Sequence, residues 1–151
     1  MKKKTKRKFI YKGLGFPIEL HQVDFVKFDG EWHPKIDVRK VADSAIKELS
    51  FQKERLTGHQ IKFIRTYFEM SLRDFGKRVV HESHMAVSKW EQFKNKPTNM
   101  DINIEVMLKL YIYEKTSVKN LSQTRNFFEK YLLIRKIDFT RNPPYIVLRG
   151  I

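Results

Sequence analysis

The sequence predicts a mostly α protein: a helical bundle preceded by a small N-terminal α+β portion, a hairpin plus a helix. Three observations lead there. From Leu56 onward, apolar residues recur at helical spacing. Three segments in that region open on a residue suited to cap a helix, at Thr57, Ser71 and Ser83. Ahead of Leu56, two apolar-rich runs flank Asp29-Gly30, and one amphipathic segment follows them.

The hairpin is expected from Val23–Phe28 and Glu31–Val38. Asp-Gly supplies the two positive φ angles of a type I′ turn. Trp32, Ile36 and Val38 share one face at period two, and Pro34 marks an edge strand. A helix is expected over Val38–Leu49. Val38, Val41, Ala42, Ala45, Ile46 and Leu49 form one stripe, with Arg39, Lys40, Asp43, Lys47 and Glu48 facing away. Residues 1–12 read as a basic arm, mobile over 1–8 because closely packed like charges repel. Residues 13–54 then form the α+β portion and 55–136 the helical domain. Residues 137–151 form a tail with one strand near Tyr145–Leu148. Within the helical domain, further helices are expected over Asp101–Lys115 and Val118–Arg135.

A chain of 151 residues with 41% hydrophobic content can bury a real core. Without cysteine there is no disulfide, no thiol nucleophile and no cysteine-based zinc site. No run of about 18 apolar residues is present, and no signal-peptide apolar region follows the basic N-terminus. A cytoplasmic protein without membrane attachment is therefore expected. Lys and Arg number 31 against 17 acids, a net charge of +14. Lys2, Lys3, Lys4, Lys6, Arg7 and Lys8 account for six of them, and the body keeps +8 without them. A field of that sign attracts polyanions, and released counterions favour nucleic-acid binding.

The motif region narrows this. Val87 and Trp90 sit three apart on the inner face of the helix that begins after Ser83. His84, Met85, Ser88, Lys89 and Gln92 fall on the opposite face. In a helix-turn-helix such a face enters the major groove. Lys89 suits a guanine edge or a phosphate, Ser88 and Gln92 donate or accept, and Met85 suits a thymine methyl. His84 suits a base or a phosphate.

These residues carry a resemblance. Leu56-Thr57-Gly58-His59-Gln60-Ile61-Lys62-Phe63-Ile64-Arg65, Ser71-Leu72-Arg73-Asp74-Phe75-Gly76, Val87-Ser88-Lys89-Trp90-Glu91 and Lys96-Pro97 resemble the lambda-repressor/Cro (XRE) helix-turn-helix family. The opening Leu-Thr-Gly is most similar to the C-terminal domain of MqsA-type antitoxins. The resemblance implies a lambda-repressor-like bundle. It places base recognition on Ser83, His84, Met85, Ser88 and Lys89, and phosphate contacts on Thr57, Ser71, Arg73, Lys94 and Lys96. It also implies operator binding, repression and, in its sharper form, a cognate toxin as partner. The sequence departs from the family pattern at three points. The turn glycine is absent and the segment Val79-Val80-His81-Glu82 is one residue longer. Gln92-Phe93 replaces the glycine after the Trp-Glu run. The zinc-binding cysteines of MqsA are missing.

Catalytic chemistry is not expected. His81-Glu82-Ser83-His84 has its histidines three apart, where a zincin helix needs four. Asp24, Asp29 and Glu31 read as solvated turn residues. Gly13-Leu14-Gly15 lacks the spacing of a nucleotide loop. No cofactor and no metal are called for. The aromatic spacing of Phe63, Tyr67, Phe68, Phe127, Phe128 and Tyr131 suits core packing better than base stacking. The helix from Asp101 carries two apolar stripes, Ile104/Met107/Leu108/Tyr111 and Val106/Leu110/Tyr113; one is expected to face the core and the other to meet a second protomer, the alternative being that the helix over Val118–Arg135 covers it within the chain. The expected function is sequence-specific duplex DNA binding by a homodimeric transcriptional regulator. A stand-alone phage-derived regulator and a basic RNA-binding protein are the alternatives.

Overall fold

A computed structural model of the chain describes residues 4–117, Ile134 and residues 145–149. Two compact units result. One comprises Met1–Ala45 with Tyr145–Ile151, the other Ile46–Pro144.

The first unit holds a four-stranded mixed sheet: β1 (Lys4–Tyr11), β2 (Ile18–Phe28), β3 (Glu31–Pro34) and β4 (Ile146–Arg149). β1 runs antiparallel along one edge of β2. Two short strands share the other edge. β3 pairs antiparallel over Phe25–Phe28, and β4 pairs parallel over Ile18–His21. The burial of β2 explains its sequence. Ile18 and Leu20 are buried, then Val23 and Phe25. Strict alternation fails by one residue between them, and the β1–β2 register shifts at the same place. Gln22, with φ 58°, is the extra residue. This β-bulge restores the phase, so the same face stays buried on both sides of it.

This sheet corrects the expected fold class: the protein is α+β, not a mostly α bundle. The arm is the main reason. Lys4–Tyr11 forms β1 instead of a mobile, solvated segment. In a strand, neighbours point to opposite faces. Lys6 stands opposite Asp24, while Arg7 stands opposite buried Val23 and Phe9 opposite buried Leu20. A charge run that looks unfoldable as a block is split across two faces. Arg7 then places its guanidinium 4.1 Å from the Phe25 ring centroid, a cation–π contact. β4 adds the C-terminal run to the same sheet.

The hairpin turn has φ 54° at Asp29 and φ 82° at Gly30. The second strand is shorter than expected. It ends at Pro34, and Val38 opens a helix, 52% exposed and off the inner stripe. Asp37 stops the strand by capping that helix, its Oδ1 accepting from the Lys40 N–H at 3.2 Å.

The helices are α1 (Val38–Phe51), α2 (Gly58–Tyr67), α3 (Leu72–Phe75), α4 (His84–Glu91) and α5 (Ile102–Thr116). α3 continues as a π-helix over Gly76–Val80. The core of the second unit includes Ile46, Leu49, Leu56, Ile61, Ile64, Phe75, Val87, Leu108 and Ile112, all 0% exposed. Thr57 and Gln60 form a reciprocal capping box at the start of α2. Gln60 also exchanges amide hydrogen bonds with Gln52 at 3.0 and 3.2 Å, which ties α2 to the chain leaving α1. The helix expected over Val118–Arg135 lies outside the described residues, Ile134 excepted.

α5 does not bury a purely apolar stripe. Between Val106, Leu108 and Ile112 it buries Glu105 and Lys109, both fully. Arg55 Nε donates to Glu105 Oε1 at 2.9 Å, and Lys109 Nζ lies 3.6 Å from Oε2. Lys109 also donates to the carbonyls of Gln52 and Glu54, and Arg55 to that of Met100. These bonds hold the non-helical segments 52–55 and Met100 against α5. Burial pushes the Lys109 ammonium below its ordinary pKa, and the Glu105 charge opposes that shift. Glu105→Ala leaves a buried cation unpaired and is expected to cost about 3–5 kcal/mol in denaturant unfolding. Replacing Arg55, Glu105 and Lys109 together by apolar residues of similar size is expected to recover most of that loss.

Candidate nucleic-acid interface

The candidate interface is built on α4, and the segment before it shows how the chain presents that helix. Ser71 caps α3 by accepting from the Asp74 N–H at 3.1 Å. Ser83 caps α4 by accepting from the Ala86 N–H at 3.1 Å. Between them lies Val79-Val80-His81-Glu82, the segment expected from the sequence to be one residue longer than the turn it resembles. The π-helix takes up the extra residue, because its bonds span i to i+5 instead of i to i+4. The N–H groups of His81 and Glu82 both reach back to the Gly76 carbonyl. His81 makes the turn by adopting the left-handed region at φ 54°. Gly76 is needed for a different reason. A Cβ there would lie 2.4 Å from the Glu82 carbonyl oxygen, so the turn closes only over a glycine.

α4 packs against α2 and α3. Val87 and Trp90 are its buried residues. A salt bridge fixes its far end. Arg65 of α2 donates from Nε and Nη2 to the two carboxylate oxygens of Glu91, at 2.7 and 3.0 Å. Its Nη1 donates to the Met70 carbonyl at 3.0 Å, just before α3. The two side chains are only 14% and 12% exposed, so the pair is largely desolvated and bidentate. One guanidinium thereby holds α2, the approach to α3 and the end of α4.

The start of α2 is locked to the loop after α4. The Gly58 N–H donates to the Lys96 carbonyl and the His59 N–H to the Lys94 carbonyl, at 3.3 and 2.9 Å. A Cβ on Gly58 would lie 2.5–2.7 Å from backbone atoms of Lys94, Trp90 and Glu91. Lys94, at φ 57°, supplies the left-handed turn that reverses this loop.

The expected contact residues are distributed as follows. Ser83, Met85, Lys89 and Gln92 are exposed, and His84 and Ser88 half-buried, along one side of α4. Met85 is 62% exposed, unusual for an apolar side chain with core available beside it. Lys94 and Lys96 are exposed on the following loop, and Ser71 and Arg73 at the start of α3. An open groove of about 950 Å³ runs beside α4, with Lys89, Gln92, Lys94, Asn95, Lys96 and Asn99 on its walls. Thr57 departs from the expectation. It is 6% exposed and its hydroxyl accepts from the Gln60 N–H, so it caps a helix and does not face outward.

Sequence reasoning missed the Arg65–Glu91 pair, since nothing local links residues 26 apart. It also missed the Glu105–Lys109 pair, for which a signal existed: opposite charges at i and i+4 inside an apolar helix. The aromatic side chains judged earlier pack on one another. Phe63 meets Tyr67, Tyr67 meets Phe68, and Phe68 meets Tyr111 at 5.4 Å between ring centroids. Phe127, Phe128 and Tyr131 lie outside the described residues. Among the described residues no cluster of three or more His, Asp or Glu could hold a metal ion, and no helix is long and apolar enough to cross a membrane.

No protein-family model, curated protein or solved structure matches this chain.

The left-handed position gives a test of the turn. A side chain in that region costs about 1–2 kcal/mol relative to glycine, and more when β-branched. In thermal unfolding His81→Gly is expected to match or exceed the parent, and His81→Val to fall below both.

Proposed function

We propose that this protein binds duplex DNA sequence-specifically through a helix-turn-helix formed by α3 with its π-helix, the turn at His81–Ser83, and α4. It would act as a transcriptional regulator, repressing where it occupies an operator. One observation carries the reading: α4 buries Val87 and Trp90 and turns Ser83, Met85, Lys89 and Gln92 outward on a braced, capped helix. Side chains that donate, accept or offer an apolar tip are what base edges in the major groove require. His84 and Ser88, both half-buried, flank that row.

Lys94, Lys96 and Arg73 are the proposed phosphate contacts, with Ser71 beside Arg73. Phosphate contacts position the protein, and the α4 row would read sequence. The charge of +14 supports a polyanionic partner generally. The aromatic packing favours duplex over stacked single-stranded RNA, because Phe63, Tyr67 and Phe68 are engaged with one another.

Homodimerisation belongs to the same proposal. Met107 of α5 is 61% exposed. It lies in a groove of about 510 Å³ with Ile104, Leu110 and Tyr111, which Arg78, His81 and Glu114 also line. A two-fold contact sets such a patch against itself.

Selection from random duplexes is expected to return one preferred site. Lys89→Ala is expected to lose roughly 1–3 kcal/mol on that site and to relax preference at one base pair. Displacement of the duplex by single-stranded RNA regardless of sequence would overturn the reading. Met107→Asp is expected to weaken the dimer by at least about 2 kcal/mol in sedimentation.

A further inference from the structure

The sheet of the first unit contains one long strand whose far edge pairs with nothing among the described residues. β1 runs for eight residues and, among the described strands, pairs only with β2. The other outer strands are half that length: β3 and β4 have four residues each, and β3 ends in a proline. A long unpaired edge offers alternating N–H and C=O groups to an incoming strand, and proteins ordinarily shorten, bulge or cover it. Here the bulge lies in β2, so β1 itself stays regular.

The side chains of β1 select what can pair there. Lys6 and Lys8 point to one face and are exposed, Lys8 by 72%. Arg7, on the opposite face, is exposed at its edge while it stacks on Phe25. A second copy would bring the same row of cations into cross-strand register, where like charges repel. The edge is therefore closed to self-pairing. Phosphates fit less well than a strand, since they would take the N–H groups and leave the outward carbonyls unmatched.

We propose that β1 is a docking edge for an extended acidic segment of a partner protein, which adds to the sheet as a further strand. Its carboxylates would alternate along the strand and meet Lys6 and Lys8, and its backbone would satisfy the open edge. Lysines that bar a basic strand make the edge specific for an acidic one. β1 belongs to the first unit and α4 to the second, and the proposal does not depend on the DNA reading.

The test uses the full chain and a short synthetic peptide with glutamate and valine alternating. A control peptide carries lysine for glutamate, and a mixed-sequence duplex is the competitor. The expected result is binding of the glutamate peptide alone, with alternate backbone amides of Lys6–Tyr11 gaining protection from hydrogen exchange. K6E/K8E is expected to weaken that binding by about tenfold, while Lys89→Ala leaves it unchanged. Binding without protection of β1 amides, equal binding of the lysine peptide, or loss of the peptide to an equimolar duplex would overturn the proposal. Retained peptide binding in a variant that no longer binds duplex would leave it standing.

Discussion

The Arg65–Glu91 pair is the constraint on which the second unit depends. α4 has eight residues, too short to be stable alone. It gains direction from two buried side chains and from this bidentate contact. The pair is nearly enclosed, and an enclosed pair is costly to break from either side. The same guanidinium holds the Met70 carbonyl, so the step into α3 is fixed by the same group. The backbone contacts of Gly58 with the Trp90–Lys94 segment close the frame from the other end. What stays outside it is the row of polar and apolar tips on α4, and that division supports the proposed role.

Legibility in the sequence followed locality. The caps at Thr57, Ser71 and Ser83 were readable because capping is decided within four residues. The Asp29-Gly30 turn was readable for the same reason. The strand order was not, because β4 reaches β2 across most of the chain. The bulge at Gln22 hid the length of β2 by breaking the alternation that identifies a strand. β1 was hidden by its charge, since a block of lysines looks the same whether it is solvated or split across two faces of a sheet. The extra residue before Ser83 was visible in the sequence, yet its solution was not: a π-helix keeps the turn and the cap in place.

The two ends of the site were legible to different degrees. The outward row of α4 followed from helical spacing once Val87 and Trp90 were assigned inward. The resemblance implied a phosphate contact for Thr57, whereas its buried hydroxyl caps α2. The buried Glu105 and Lys109 changed the reading of α5. Its inner stripe is part ionic, so the apolar residues left toward solvent, Met107 above all, are those that the core did not need. The charge of the protein is likewise spread over two surfaces, one on α4 and its loop and one on β1, with separate proposed partners.

The central claim is that α4 meets duplex DNA. Amide chemical-shift mapping of the full chain, titrated with its selected duplex, tests it most directly. The account predicts the largest changes at Ser83–Lys89 and at Lys94–Lys96. Changes confined to the β1 strand, with α4 unmoved, would contradict it.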